Sequence, residues 1–366
     1  MKEYRVGLIG CGNISGIYLS NLTGRLKNAR IVACADLLPG KAEICARQYG
    51  ISAIEPDKLL KSGDIDVVLN LTTPPEHANI SIRALQNGKH VYCEKTLALT
   101  LKDADEILDA AAKNNLVAGC APDTFLGSGI QAAAGALRGN AAGRPVAASA
   151  FMVCRGHERW HPNPAFYYDK LAGPMFDMGP YYITALVCLL GSVKSVVSAG
   201  SRAFGERIIT SQPLYGQKIK VQTDTHYSIS LMFENDVVAT MMMSFDIWAA
   251  NLPYIEIYGE SGMVSCPDPN TFAGPVTVRE KDASISSVIR ETSPFNTDSR
   301  GLGLAEMCSA LHAGKEPRAS GMLARHVLDV IVSTIRSAEE GRMIECAPFE
   351  RQPEPLTAKD AAALLN

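Results

Sequence analysis

At 366 residues and 39.2 kDa, the chain is long enough for two domains. With 47% apolar and 20% charged residues it can build a substantial core, which excludes a disordered chain. A net charge of −3 and a pI near 6.2 argue against binding nucleic acid through a generally basic surface.

Residues 6–10 are a continuous apolar run ending in glycine, the pattern of a buried parallel strand, and helical spacing follows over 14–26. A strand is expected over 31–35 and a helix over 41–49, stopped by Gly50. Next come a strand at 66–71, a helix at 77–87 with Gly88 behind it, and a strand at 90–93. Thr100 opens a helix with Asp103 as capping-box partner, and 116–120 is another apolar strand. This alternation predicts a parallel sheet with helices on both faces.

Beyond about residue 124 the pattern changes. A helix is expected over 131–137, a strand over 146–153, and a helix over 176–190 closed by Gly191. In 226–233, His226, Ser228 and Ser230 alternate with Tyr227, Ile229 and Leu231, as in a half-buried antiparallel strand. Asn235-Asp236 marks a hairpin into a strand over 237–245. Strands at 254–258 and 263–266 flank Glu260-Ser261-Gly262, and the polar tract 272–300 reads as loops or edge strands. A long helix over 322–340 is capped by Gly341. The expected architecture is an α/β domain over 1–123 and an α+β domain over 124–366 with a mostly antiparallel open sheet. The late helix is expected to pack back near the first domain.

Gly10-Cys11-Gly12-Asn13-Ile14-Ser15 follows the first strand and opens the first helix, a GxGxxG turn with serine in third place. The first glycine permits the tight turn, the second lets backbone approach a pyrophosphate, and the third position need only be small. The helix amino end adds amide donors and partial positive charge. Asp36 closes the second strand, 24 residues after Gly12, where an acid can bind both ribose hydroxyls and repel a 2′-phosphate. Leu37, Leu38 and Pro39 follow, without an arginine for that phosphate, so NAD is expected over NADP. A Rossmann-type nucleotide domain is the reading.

Thr72-Thr73-Pro74-Pro75-Glu76-His77 and Cys93-Glu94-Lys95-Thr96 lie at carboxyl ends of parallel strands, where such sheets place ligands. With the opening turn they resemble the Gfo/Idh/MocA family of sugar and cyclitol oxidoreductases. The resemblance makes Gly10, Gly12, Asn13, Ile14, Asp36, Thr72, Thr73, Pro74, His77, Glu94 and Lys95 the expected cofactor residues. The family's second-domain pattern matches at Asp177 and Gly179, with Tyr181 where a histidine is usual and Thr96 where a proline is usual. It implies Lys95, Asp177 and Tyr181 as catalytic. Lys95 would bind the substrate hydroxyl and, if the site depresses its pKa, assist proton transfer. Tyr181 would donate or relay a proton, and Asp177, four residues earlier on one helix face, would bind a second sugar hydroxyl or orient Lys95. A homo-oligomer, dimer or tetramer, is a further implication.

His157-Glu158-Arg159-Trp160-His161 spells HExxH, a zinc motif when a helix aligns both histidines. Gly156 before it and Pro162 after it argue against that helix, and no metal is expected. A loop entering the sugar pocket fits better. There Trp160, Phe166, Tyr167 and Tyr168 could stack on a ring, and Arg155 or His161 could bind hydroxyls; packing of the loop is the plainer alternative. Asp123 either points into the cleft as a substrate ligand or caps the helix that begins near Leu126.

Ten cysteines, no two closer than 11 residues, form no CxxC pair and read as reduced, buried thiols in a cytoplasmic protein. No run approaches the ~18 apolar residues of a membrane span. The apolar stripe at 241–245 suggests subunit contact or packing on the chain's own helices. The leading function is NAD-dependent oxidation of a secondary hydroxyl of a sugar, glycoside or cyclitol. Glycoside cleavage through transient oxidation by retained NAD, and a sensor without turnover, are the other readings.

Overall fold

The computed structural model describes residues 2–290 and 293–365; Glu291 and Thr292, within the tract read as loops or edge strands, lie outside the described residues. The first sheet contains β1 (Tyr4–Ile9), β2 (Ala29–Ala35), β3 (Ser52–Ala53), β4 (Val67–Asn70), β5 (His90–Cys93) and β6 (Ala118–Cys120). All pair in parallel, in the order β3-β2-β1-β4-β5-β6. α1 (Ser15–Gly24), α2 (Pro39–Tyr49), α3 (Pro56–Lys61), α4 (His77–Gln86) and α5 (Leu101–Lys113) connect them. The central strands are buried on both faces, which is why they read as unbroken apolar runs. Gly50 ends α2 in the left-handed region at φ 66°, and the Thr100 side chain accepts from the Asp103 amide to start α5. Strand order reverses between β1 and β4, so the loops after these strands border the ligand crevice of an open α/β sheet.

The second part begins with α6 (Ser128–Arg138), β7 (Pro145–Val153), α7 (Gly173–Asp177) and α8 (Gly179–Leu190). The helix expected over 176–190 is therefore two helices. Pro180 has no amide to bond the Phe176 carbonyl and clashes with a continuing turn, so it sits instead in the first turn of a new helix. The strands that follow are β8 (Val193–Ser201), β9 (Glu206–Ile208), β10 (Lys218–Lys220), β11 (His226–Phe233) and β12 (Val238–Ser244). After them come β13 (Ile255–Gly259), β14 (Gly262–Cys266), β15 (Val276–Glu280) and β16 (Ser287–Ile289). The chain ends with α9 (Leu302–His312), α10 (Gly321–Glu340), β17 (Ile344–Glu345) and α11 (Ala358–Ala363).

Nine of these strands form one sheet, ordered β16-β15-β14-β13-β7-β12-β11-β8-β17, while β9 and β10 make a separate ribbon. Within the large sheet β7 and β12 run parallel, and the other pairs are antiparallel. Met241 and Met243 are buried and Met242 only half-buried, so most of the methionine stripe packs inside the chain. α10 lies between the sheets, touching β8 and α8 on one side and α5 and β6 on the other. Bridges Gly119–Ser320 and Leu26–Leu365 tie the end of the chain to the first sheet. Among the described residues no helix is long and apolar enough to cross a membrane.

Candidate active site

The glycine-rich loop leaves β1 at Gly10, whose φ of 101° suits glycine; a Cβ there would strike the Leu71 carbonyl oxygen at 2.5 Å. A Cβ at Gly12 would meet nothing within 4 Å, and Gly12 and Asn13 are exposed, with half-buried Ile14 beside them at the amino end of α1. Ser15, in the third small position, is buried and turns its hydroxyl back to the Gly12 carbonyl at 2.7 Å. Asp36 accepts from the amides of Cys11 and Leu38, each at 2.8 Å, which fixes its carboxylate at the loop. Leu37 and Leu38 stand exposed beyond it. An open cradle of small residues, a helix amino end and a fixed carboxylate together fit a dinucleotide.

The turn after β4 and the turn after β5 are joined by His77. This residue is 1% exposed, and its nitrogens lie 2.6 Å from the Thr96 carbonyl and 2.9 Å from the Thr72 carbonyl. The expectation that His77 touches cofactor is thereby corrected: the ring is buried between the two loops, and in the neutral form that burial favours one of its nitrogens donates to a carbonyl there. Thr73 is exposed, with Thr72 and Pro74 partly so. Glu94 accepts from the Tyr18 hydroxyl at 2.7 Å and from the Lys95 amide at 2.9 Å, anchoring its turn to α1. The Lys95–Thr96 peptide is cis.

Lys95 Nζ donates to the Asp177 carbonyl at 2.7 Å and to Asp177 Oδ1 at 2.9 Å. That carbonyl is available because of the break between α7 and α8: the Tyr181 amide, which would bond it in a continuous helix, bonds Met178 instead at 3.1 Å. The other carboxylate oxygen, Oδ2, lies 2.8 Å from His157 Nε2. Trp160 Nε1 lies 3.3 Å from His157 Nδ1, and an indole N–H can only donate. These partners assign the Nε2–H tautomer, so His157 donates to Asp177. Lys95, Asp177 and His157 thus form one hydrogen-bonded chain. Burial opposes both charges in the Lys95–Asp177 pair, but their attraction wins: Lys95 is held above the usual lysine pKa, and Asp177, with His157 adding its bond, below the usual carboxylate range. The condition of a depressed Lys95 pKa is not met, because the partner is a full negative charge in direct contact.

Tyr181 is 7% exposed, with Lys95 Nζ 5.3 Å from its ring centroid. Its ring packs beside the lysine, so Tyr181 sits in the same cluster as Lys95 and Asp177. Burial raises its pKa, with the charges of Lys95 and Arg300 opposing. Tyr167, read only as a stacking aromatic, packs at 4.4 Å from the His157 ring and senses the charges of both Asp177 and Lys95.

Other expected substrate contacts are relocated. Asp123 is 1% exposed and accepts from the amides of Gly301 and Gly303, each at 2.9 Å, so it caps α9 from a distant segment instead of facing the cleft or starting a helix near Leu126. Burial pushes its pKa up to about 6. Tyr168 is fully buried, its hydroxyl donating to Glu158, so it cannot stack on a ligand. Arg155 lies over the rings of Phe204, at 4.6 Å, and Trp248, at 4.8 Å. Trp160 remains 61% exposed, and half-buried His161 accepts from the Asn163 amide at 3.1 Å. HExxH forms a turn, not a helix, and its three side chains go to three places: Asp177, the buried Arg207–Tyr168 cluster, and Asn163.

A nucleotide cradle after β1, with a charged hydrogen-bonded chain that links the turn after β5 to α7, defines a dinucleotide-dependent oxidoreductase fold. Residues 4–121 match the model described as "Oxidoreductase family, NAD-binding Rossmann fold", and residues 130–265 match the "GFO/IDH/MocA C-terminal domain". The chain belongs to the Gfo/Idh/MocA oxidoreductase family, whose first domain binds NAD. It is 30% identical over 113 residues to an inositol 2-dehydrogenase of Salmonella typhimurium, an alignment covering 30% of this chain and 34% of that protein. To a D-apiose dehydrogenase of Paraburkholderia graminis it is 24% identical across 100% of this chain and 95% of that one. A levoglucosan dehydrogenase solved with NADH and L-sorbose superposes with a TM-score of 0.82 at 20% identity, covering 95% of this chain and 100% of the other.

Proposed function

We propose that the protein is an NAD-dependent dehydrogenase that moves a hydride between the nicotinamide and a secondary hydroxyl or ketone of a sugar, glycoside or cyclitol. The observation that carries this reading is the Lys95–Asp177–His157 chain, with Lys95 on the turn after β5 and its partners on α7 and the loop before it. Amides at Gly12, Asn13 and Ile14 suit the pyrophosphate, and Asp36 suits the adenosine ribose, with Thr73 and Pro74 bordering the same crevice. Bound NAD supplies the hydride acceptor, or in reduced form the donor.

Lys95 places an ammonium group where the substrate oxygen binds. Two of its three protons go to Asp177; the third is free to reach that oxygen. Held charged, Lys95 is poised to give a proton to a ketone oxygen, and in the oxidative direction it must first lose one. His157 is a positioning residue: it holds Asp177 in place and keeps it ionised. Trp160 and Tyr167 border the sugar. All ten cysteines are free thiols, which supports a cytoplasmic site of action. The half-exposed Val197 and Val238 on the large sheet support assembly as a dimer or tetramer, which light scattering would read directly. A panel of sugars, glycosides and cyclitols, scored together by NADH absorbance and product chromatography, tests the function. NADH formation with at least one polyol is expected; cleavage without net NADH, or no reaction across the panel, would overturn it.

A further inference from the structure

Three cysteines far apart in the sequence meet beneath the nucleotide loop. Cys11 lies inside the glycine turn, Cys34 in β2 and Cys45 in α2. Their sulfur atoms all lie within 4.8 Å of one another, and all three are free thiols. Cys34 is fully buried and Cys45 is 7% exposed, while Cys11 is half-buried and gives the cluster an outlet to solvent. Cys11 Sγ points to the Ala35 carbonyl at 3.6 Å and Cys34 Sγ to the Ala42 carbonyl at 3.4 Å, contacts suited to protonated thiols. No such convergence was visible from spacing: β1 and β2 are adjacent parallel strands and α2 packs on β2, so the turn after β1, β2 and α2 each bring one cysteine to the same corner.

We propose that Cys11, Cys34 and Cys45 form a binding site for one thiophilic metal ion of the zinc(II) class, and that filling it closes the dinucleotide site. Three thiolates are a soft donor set and select such an ion over magnesium or calcium. A tetrahedral zinc with Zn–S near 2.3 Å needs sulfurs about 3.8 Å apart, a contraction of about 1 Å at most from the present separation. The fourth position faces the solvent side, at Cys11, and takes water. The balance is zinc(II) plus three thiols giving a zinc trithiolate and three released protons. Burial holds Cys45 up at about 11, so proton release accompanies binding instead of preceding it.

The coupling to dinucleotide follows from Cys11. Its amide donates to Asp36 at 2.8 Å, and its neighbours Gly10 and Gly12 form the phosphate cradle. Drawing its sulfur onto an ion moves the cradle and Asp36 together. This second half of the proposal rests on the cofactor reading above; the thiol site does not.

The test titrates reduced, metal-free protein with cobalt(II), then displaces it with zinc(II). One equivalent should develop a thiolate-to-cobalt charge-transfer band with intense tetrahedral visible bands, bleached by one equivalent of zinc. Cys45→Ala and Cys11→Ala should both lose the bands while keeping the wild-type circular dichroism and melting profile, so that loss of the site is not loss of fold. Zinc should raise the NADH dissociation constant of the wild type by about tenfold or more and leave that of Cys45→Ala unchanged. Absence of the bands in the wild type, or their persistence in Cys45→Ala, overturns the site. A zinc-filled wild type that binds NADH unchanged overturns the coupling. Bands in a protein that never binds NADH support the site and count against the cofactor reading.

Discussion

Lys95 is charged because Asp177 makes it so, and that sets a direction for pH. The folded-state pKa of Lys95 is raised, so the neutral form needed to accept an alcohol proton appears only on the alkaline side. Alcohol oxidation is therefore expected to rise with pH through the alkaline range, while ketone reduction holds its rate at neutral pH; initial rates in both directions across pH 6 to about 10 check this. His157→Ala should lower kcat by about 10- to 100-fold with NADH affinity unchanged, since it strips one hydrogen bond from a buried carboxylate at a cost of about 1–3 kcal/mol. An unchanged kcat would remove His157 from the site. Lys95 and Asp177 were legible as motif positions, but not as an ion pair, because 82 residues separate them. His157 was legible only as half of a metal motif. The letters carried no sign that it would face a carboxylate 20 residues on, nor that Trp160 would fix its tautomer.

The break between α7 and α8 shows how an element makes a site. Apolar spacing alone runs straight through it; Pro180 was the readable signal, since a proline inside a helical pattern starts or stops a helix. The loop between β7 and α7 is pinned by Arg207 on β9, which bonds Glu158, Asp246 and the Phe245 carbonyl while only 2% of its side chain is exposed. Arg207→Ala leaves Asp246 without its guanidinium and Glu158 with only the Arg155 cation at 3.9 Å, and should cost about 3–5 kcal/mol in urea unfolding, with loss of turnover as the loop detaches. Such ion clusters are illegible in sequence, because their members come from β9, the 154–172 loop and the residues after β12. Strands and caps were legible to within a few residues, as with 90–93 and Gly50, because burial on both faces and a left-handed glycine leave local marks.

Between the two sheets, the closing segments of the chain return to the first one, and Asp123 is the joint: it lies just after β6 and caps α9. Its folded-state pKa, near 6, is above the ordinary value of about 3.9, so the folded state retains a proton that the unfolded state has lost over that window. Stability attributable to Asp123 therefore falls as pH rises from about 4 to about 6, by roughly 2–3 kcal/mol, and stays lost above it. Asp123→Asn keeps an acceptor for the two amides and removes that slope; urea midpoints of wild type and variant from pH 4 to about 8 should diverge in this sense, and parallel curves would contradict it. The return of the late helix was expected from the sequence; the Asp123 joint and the meeting of Cys11, Cys34 and Cys45 were not, because both are products of tertiary packing. Lys95, on the turn after β5, reaches Asp177 on α7 and so links the two parts of the chain. The most direct measurement compares wild type and Lys95→Ala, each with a polyol that the wild type oxidises, for kcat and for NADH binding by fluorescence. A fall in kcat of about 10²-fold or more is expected, with NADH affinity within about threefold of wild type. Full turnover in Lys95→Ala would contradict the role assigned to Lys95.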